Sequence, residues 1–217
     1  MSEYREIKSI FSDPKNRIMG VQATGTWEKD PKRLAFMLAR YKFVSKMLQG
    51  KQRVLEIGAS DAWASRIVKQ SVANLTCIDI DSDFVTYGKE NVSERWPLRL
   101  LQHDMLSPLI DDIFDAVFAL DVLEHIAPTD ESQFMNNVLT SVTKDGVVIL
   151  GMPSLETQRF SESDNGHINC KSGVEFKDMM SIYFKNVFMF CMNDEVIHTG
   201  MFEMANYLIA IGVGKKY

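Results

Sequence analysis

Four carboxylates are spaced so that they could meet around one bound molecule. Glu56 lies in the run Arg53-Val-Leu-Glu-Ile-Gly58, Asp79 ends the next apolar run, Asp104 follows the third, and Asp121 closes the fourth. The segment Arg53-Val-Leu-Glu-Ile-Gly-Ala-Ser-Asp-Ala-Trp-Ala64 reads as a strand, a tight glycine turn and a helix start. That arrangement seats a nucleotide-bearing cofactor on the edge of a parallel sheet. Two histidines, His167 and His198, fall in polar loops further along and could move a proton there.

The elements that must position these groups alternate along the chain. Leu34, Met37, Leu38, Tyr41, Val44, Met47 and Leu48 have helical spacing, with Pro31 suited to a first turn and Gly50 to a stop. Strands are expected at 53–57, 75–78, 98–101, 114–120 and 146–150. Helices are expected at 61–71 (capped by Ser60 or Asp61), 83–92 and 131–143. Short strands alternating with helices imply a doubly wound parallel sheet, and right-handed crossovers bring the strand C-termini to one edge. After a helix at 174–183, the strands 187–192 and 207–213 follow without a helix between them. The last is therefore expected antiparallel. The hairpin loop 193–200 then hangs over the cofactor edge and carries His198 with it. The loop 153–171, with His167 and Asn169 around a glycine turn, lies over the same edge.

Residues 1–30 form the irregular part, broken by Pro14, Gly20, Gly25 and Pro31, and read as an arm or lid. The expected organisation is that arm followed by a single domain over 31–217. A net charge of −5 gives no field that would draw the protein to nucleic acid or an anionic membrane. Lys32, Arg33, Arg40, Lys42 and Lys46 make one stretch locally basic, chiefly as a solvated helix face. Cys77, Cys170 and Cys191 have neither metal-ligand nor disulfide-framework spacing. The charged N-terminus does not read as a signal peptide, so a cytoplasmic location is expected. No metal is expected, because His and carboxylate spacing forms no recognised ligand set.

At these residues the sequence resembles the class I S-adenosylmethionine-dependent methyltransferases. The resemblance rests on Val54-Leu-Glu-Ile-Gly58, Cys77-Ile-Asp-Ile-Asp81, Gln102-His-Asp-Met105, the run Phe114–Ile126 and Gly146-Val-Val-Ile-Leu-Gly-Met-Pro153. It implies a Rossmann-like, doubly wound, seven-stranded α/β sheet, mostly parallel with the last strand antiparallel and helices on both faces. It implies S-adenosylmethionine as cofactor and S-adenosylhomocysteine as product. It places Gly58, Asp61, Ala62 and Trp63 at the cofactor's methionine end, Asp79 on its ribose, and Glu56 among the cofactor-binding acids. Ile80, Asp104 and Met105 fall at the adenine, Asp121 beside the sulfonium through its backbone, and Arg40 and Tyr41 at the carboxylate. The first loop has fewer glycines than is usual in that family. Ala59 and Ser60 leave little room for a pyrophosphate, which argues against NAD more than against the methyl donor.

Two further segments, Gly166-His-Ile-Asn-Cys-Lys171 and Asn193-Asp-Glu-Val-Ile-His-Thr-Gly200, together with 25–33 and 40–43, are similar to methyltransferases of bacterial surface-polysaccharide clusters. Some of those resemble phosphoethanolamine N-methyltransferases. That resemblance implies a small anionic acceptor bearing an amine. His167, His198 or Tyr41 would take its proton; Arg33, Arg159 and Lys171 would meet a phosphate, with Trp27 and Asn169 completing the substrate site. Three alternatives stand beside it: O-methylation of a sugar or sugar nucleotide, a cofactor binder without catalysis, and an NAD-linked oxidoreductase.

Overall fold

Leu55 and Ile57 pack on one face of the sheet, whereas Val54 lies in the cluster on the other, beside the Tyr41 that Glu56 binds. Such period-two alternation gives the sheet two cores. The computed structural model describes residues 19–108, 112–158 and 166–216. Strands β1 (Arg53–Ile57), β2 (Asn74–Asp79), β3 (Arg99–Gln102), β4 (Phe114–Leu120) and β5 (Val142–Pro153) are parallel to one another. β8 (Tyr207–Lys215) runs antiparallel between β5 and β6 (Phe184–Asn193). A short β7 (Val196–His198) pairs antiparallel with β6 at the sheet's end. The order is β3-β2-β1-β4-β5-β8-β6-β7, a Rossmann-like mixed sheet.

One core packs this sheet against α5 (Glu131–Ser141) and α6 (Gly173–Tyr183) through Phe134, Met135, Phe176 and Met180. The other lies under α2 (Pro31–Met47), α3 (Ser65–Lys69) and α4 (Ser82–Glu90), through Tyr41, Val44, Val68 and Val85. Asp30 caps α2 by accepting from the Lys32 N–H, and Asp81 caps α4 by accepting from Asp83 and Phe84.

The sequence expectations differ from the structure in three places. Val21–Lys29 is a helix, α1, with Gly25 inside it, rather than irregular chain. Its packing on α2 offsets the glycine penalty of about 1 kcal/mol. The helix expected over 61–71 is shortened to Ser65–Lys69, because Asp61 folds back to accept from the Trp63 N–H within a turn. The sheet has eight strands rather than seven, because Val196–His198 in the 193–200 loop finds the open edge of β6. Among the described residues no helix is long and apolar enough to cross a membrane.

Candidate active site

The register carries the acidic residues to one edge. Ile57 lies abreast of Ile78 and Ala119, so Gly58, Asp79 and Asp121 emerge side by side, and Asp104 follows β3. Beyond β1 the chain turns sharply over β2: the Gly58 and Ala59 N–H groups both donate to the Ile78 carbonyl. Gly58 has φ +73°, and a Cβ there would collide with Val122. Ser60 and Ala62 also hold positive φ, as does Asp121. Left-handed backbone costs a non-glycine residue on the order of 1–2 kcal/mol, so strain is gathered at this edge.

Asp79 braces the turn. One carboxylate oxygen accepts from the Ser60 N–H at 2.6 Å and the other from the Asp81 N–H at 2.9 Å. Each oxygen keeps capacity for a further donor. Beside it Ile80 is 65% exposed, unusual for a large apolar side chain at a strand end. Asp104 accepts from the Leu106 N–H, and Met105 is buried beneath it. Ser60 Oγ and Asp61 Oδ2 are buried without a partner among the described residues. The turn thus offers orphaned polar atoms, a braced carboxylate and an open apolar surface, as a polar ligand with a flat apolar part requires.

Glu56 stays behind this edge. It is buried, accepts the Tyr41 O–H at 2.8 Å and lies 3.4 Å from Cys77 Sγ. Burial pushes its pKa up to about 7 despite those hydrogen bonds. Tyr41 is correspondingly committed: burial and the neighbouring Glu56 hold its phenol well above the ordinary range. Neither lines the cleft described next, so Tyr41 is not positioned there as a proton acceptor.

A cleft of about 590 Å³ opens from Asp121 towards the end of the sheet. Gln22 and Thr26 of α1 wall it, with Arg33, Phe36, Met37 and Arg40 of α2. Its floor is Asp121, Glu124, Pro153, Met192 and Tyr207, and Thr157, His167, Asp194 and Asn206 form the rim. Arg40 joins the two halves. One guanidinium nitrogen donates to both oxygens of Asp121 at 2.7 and 2.8 Å, and the group lies over the Tyr207 ring, 4.3 Å from its centroid. Burial opposes the charge on Arg40, but Asp121 and Tyr207 outweigh it and raise its pKa. Asp121 thus spends its side chain on Arg40, while its backbone, at φ +58°, donates to the Gly151 carbonyl.

Glu124 stands out in the floor. It sits in the 3₁₀ turn Leu123–His125, is completely buried, and neither carboxylate oxygen has a partner among the described residues. Burial, and then the like charge of Asp121, push its pKa up to about 8. His167 lines the cleft nearby, its Nδ1 2.9 Å from Gln158 Oε1.

The other sequence-derived candidates divide. Arg33 lines the cleft and forms no ion pair among the described residues. Lys171 is bound to Glu131 at 2.7 Å, and Asn169 bridges the same two residues, so both pin the loop to α5 outside the cleft. Trp27 is 52% exposed on α1 and does not line it. His198 lies on β7 with Nδ1 3.3 Å from Cys191 Sγ and is absent from the cleft wall, because β7 folds back along β6 instead of arching over the edge. Arg159 falls outside the described residues. Sequence reasoning missed Tyr207 and Asp194, although both follow from strand ends at this edge. Glu124 was legible only as a turn residue, since its burial is set by the loop carrying Ile168 and Asn169, whose N–H groups donate to its carbonyl.

Residues 55–150 match the profile of a methyltransferase domain family. No curated protein matches the chain. Among solved structures, the N-methyltransferase NodS from Bradyrhizobium japonicum WM9, in complex with S-adenosyl-L-homocysteine, superposes with a TM-score of 0.65 at 14% identity, over 97% of each chain. A DhpI complex with the same compound gives 0.65 at 14%, over 90% of this chain and 93% of that one. A TehB-like SAM-dependent methyltransferase from Corynebacterium glutamicum ATCC 13032 Kitasato gives 0.61 at 14%, over 83% and 88%. The braced glycine turn, the row of strand-end acids and the reversed β8 are thus set in a Rossmann-like methyltransferase fold.

Proposed function

We propose that this protein transfers a methyl group from S-adenosylmethionine to a small acceptor held in the cleft beside Asp121. The observation that carries this reading is the adjacency of the strained Gly58–Ala62 turn and a cleft walled by proton-accepting groups. The residues present suit the cofactor: Asp79 for ribose hydroxyls, Ile80 for an apolar ring, and the orphaned Ser60 Oγ and Asp61 Oδ2 for a polar end. When bound, the cofactor supplies an electrophilic methyl and a neutral thioether leaving group.

The chain's own task is to align the acceptor, strip its water and take its proton. Arg40 is engaged by Asp121, so gripping a cofactor carboxylate means exchanging one carboxylate for another. Among the proposed bases, His167 is the one in the wall, and Glu124, raised by burial and by Asp121, is a second acceptor once it is ionised. Arg33 supports an anionic acceptor, and the favoured substrate is the amine of phosphoethanolamine or a related phospho-amine. Residues 1–30 then act as an arm over the site, a reading supported by the place of α1 in the wall. O-methylation of a sugar or sugar nucleotide is the second reading. It is favoured by the buried Glu124, a stronger base than an ordinary carboxylate.

Incubation with methyl-labelled cofactor and each acceptor class, followed by mass analysis of products, decides between them. Methylated amine is the expected product. Methylated sugar without methylated amine would discard the first reading, and cofactor binding without turnover on either would discard both.

A further inference from the structure

Glu124, His125 and His167 each offer a ligand atom, and the three atoms lie within 4.8 Å of one another, with Glu124 and His167 lining the cleft. Three features set this group apart from a chance cluster of polar side chains. Glu124 is fully buried with both oxygens unpartnered among the described residues, a costly arrangement unless something positive or a proton meets them. The two imidazoles meet edge to face with centroids 5.0 Å apart. Both are also oriented from behind: His125 Nδ1 is 3.1 Å from the Gly166 carbonyl and His167 Nδ1 is 2.9 Å from Gln158 Oε1. A carbonyl oxygen can only accept, so each Nδ1 carries the proton and each ring has its lone pair on Nε2. Metal-ligating histidines are fixed in this way, through an outer acceptor that sets tautomer and ring direction.

We propose that Glu124, His125 and His167 bind a divalent transition-metal cation that faces the acceptor cleft. Bonds of about 2.0–2.2 Å put ligand atoms roughly 3–4 Å apart, so the cluster closes on an ion with displacements of a few tenths of an ångström to about one. Two imidazoles and one carboxylate favour Zn²⁺, Mn²⁺, Fe²⁺ or Co²⁺ over Mg²⁺ or Ca²⁺, which prefer all-oxygen sets. Three protein ligands leave coordination positions for an acceptor oxygen: a phosphate oxygen of a phospho-amine, which the cation would hold in place, or a sugar hydroxyl, whose proton it would loosen. The binding site stands independently of the proposed methyl transfer; the catalytic consequence rests on that reading and replaces direct proton uptake by His167 or Glu124, whose lone pairs the cation would hold.

The test uses the full chain, stripped with chelator and titrated with Mn²⁺ while free Mn²⁺ is followed by electron paramagnetic resonance. About one ion per chain is expected, with a matching rise in melting temperature that needs no cofactor. Glu124→Gln should abolish binding, and His125→Ala or His167→Ala should weaken it by at least about tenfold. His103→Ala, outside the cluster, should leave it unchanged. Circular dichroism on each variant separates lost ligation from lost folding, and Glu124→Asp, which keeps the charge, should retain measurable binding. No binding to the wild type, or equal binding by the Glu124→Gln and His167→Ala variants, overturns the proposal. Binding that persists when no acceptor is methylated leaves the site standing and sinks the catalytic reading alone. A chelator that abolishes methyl transfer, restored by Mn²⁺, supports both.

Discussion

Glu56 carries a carboxylate where the sheet and α2 exclude water, and its pKa of about 7 lies above the ordinary 4.5. A raised carboxyl pKa contributes stability that is fully present below about pH 4.5 and is lost as pH rises through about 7. Wild-type protein should therefore lose on the order of 3 kcal/mol from this group between pH 4.5 and 8. Glu56→Gln should flatten that slope, measured as the difference between urea unfolding of variant and wild type at each pH. An unchanged slope would mean that Glu56 is not neutral in the folded state at low pH. Asp79 is the complementary case, an exposed-edge carboxylate with hydrogen-bonding capacity in reserve. Loss of charged hydrogen bonds worth about 1.5–3 kcal/mol predicts roughly tenfold to hundredfold weaker S-adenosylhomocysteine binding by Asp79→Ala in calorimetric titration. In the cleft, Arg33→Ala should raise KM for an anionic acceptor with little change in kcat, whereas an equal fall in kcat would give Arg33 a role in the chemical step.

At the scale of elements, the turn after β1 works by backbone shape. Gly58 combines φ +73° with no room for a Cβ beside Val122, so Gly58→Ala meets both a dihedral penalty and a collision. Destabilisation of about 1–3 kcal/mol is expected in denaturant melts, together with weakened cofactor binding. Adding Val122→Ala should relieve the collision but not the dihedral strain, so binding should recover only in part; full recovery would show that packing alone required the glycine. The C-terminal hairpin behaves differently. β7 pairs along β6 because an open strand edge satisfies its backbone hydrogen bonds, and this pairing sends His198 to Cys191 instead of the cleft.

For the whole molecule, the two cores hold the strand ends rigid while the ligand-facing edge remains strained. A ligand that binds only the folded state at about 100 times its Kd adds roughly 2.7 kcal/mol of stability. For a domain of this size that corresponds to a melting-temperature rise of roughly 5–10 °C. S-adenosylhomocysteine should produce such a rise and NAD none; the reverse result would assign the edge to a dinucleotide.

Hydrophobic periodicity, the glycine after β1 and the acids at strand ends were enough to determine that parallel strands deliver their C-terminal ends to one edge. These are local signals, and right-handed crossovers leave parallel strands few other arrangements. They correctly set Gly58, Asp79 and Asp121 side by side, and likewise the reversal of β8. Tertiary structure alone decided which candidates share the cleft. Lys171 and Asn169 are drawn to Glu131, Tyr41 to Glu56 and His198 to Cys191, by partners far away in sequence or by edge pairing that no pattern announces. Glu124 illustrates the same limit in the opposite direction. A glutamate in a turn reads as solvated, and only the packing of a distant loop over it creates the dry carboxylate, unpartnered among the described residues, on which the metal proposal rests.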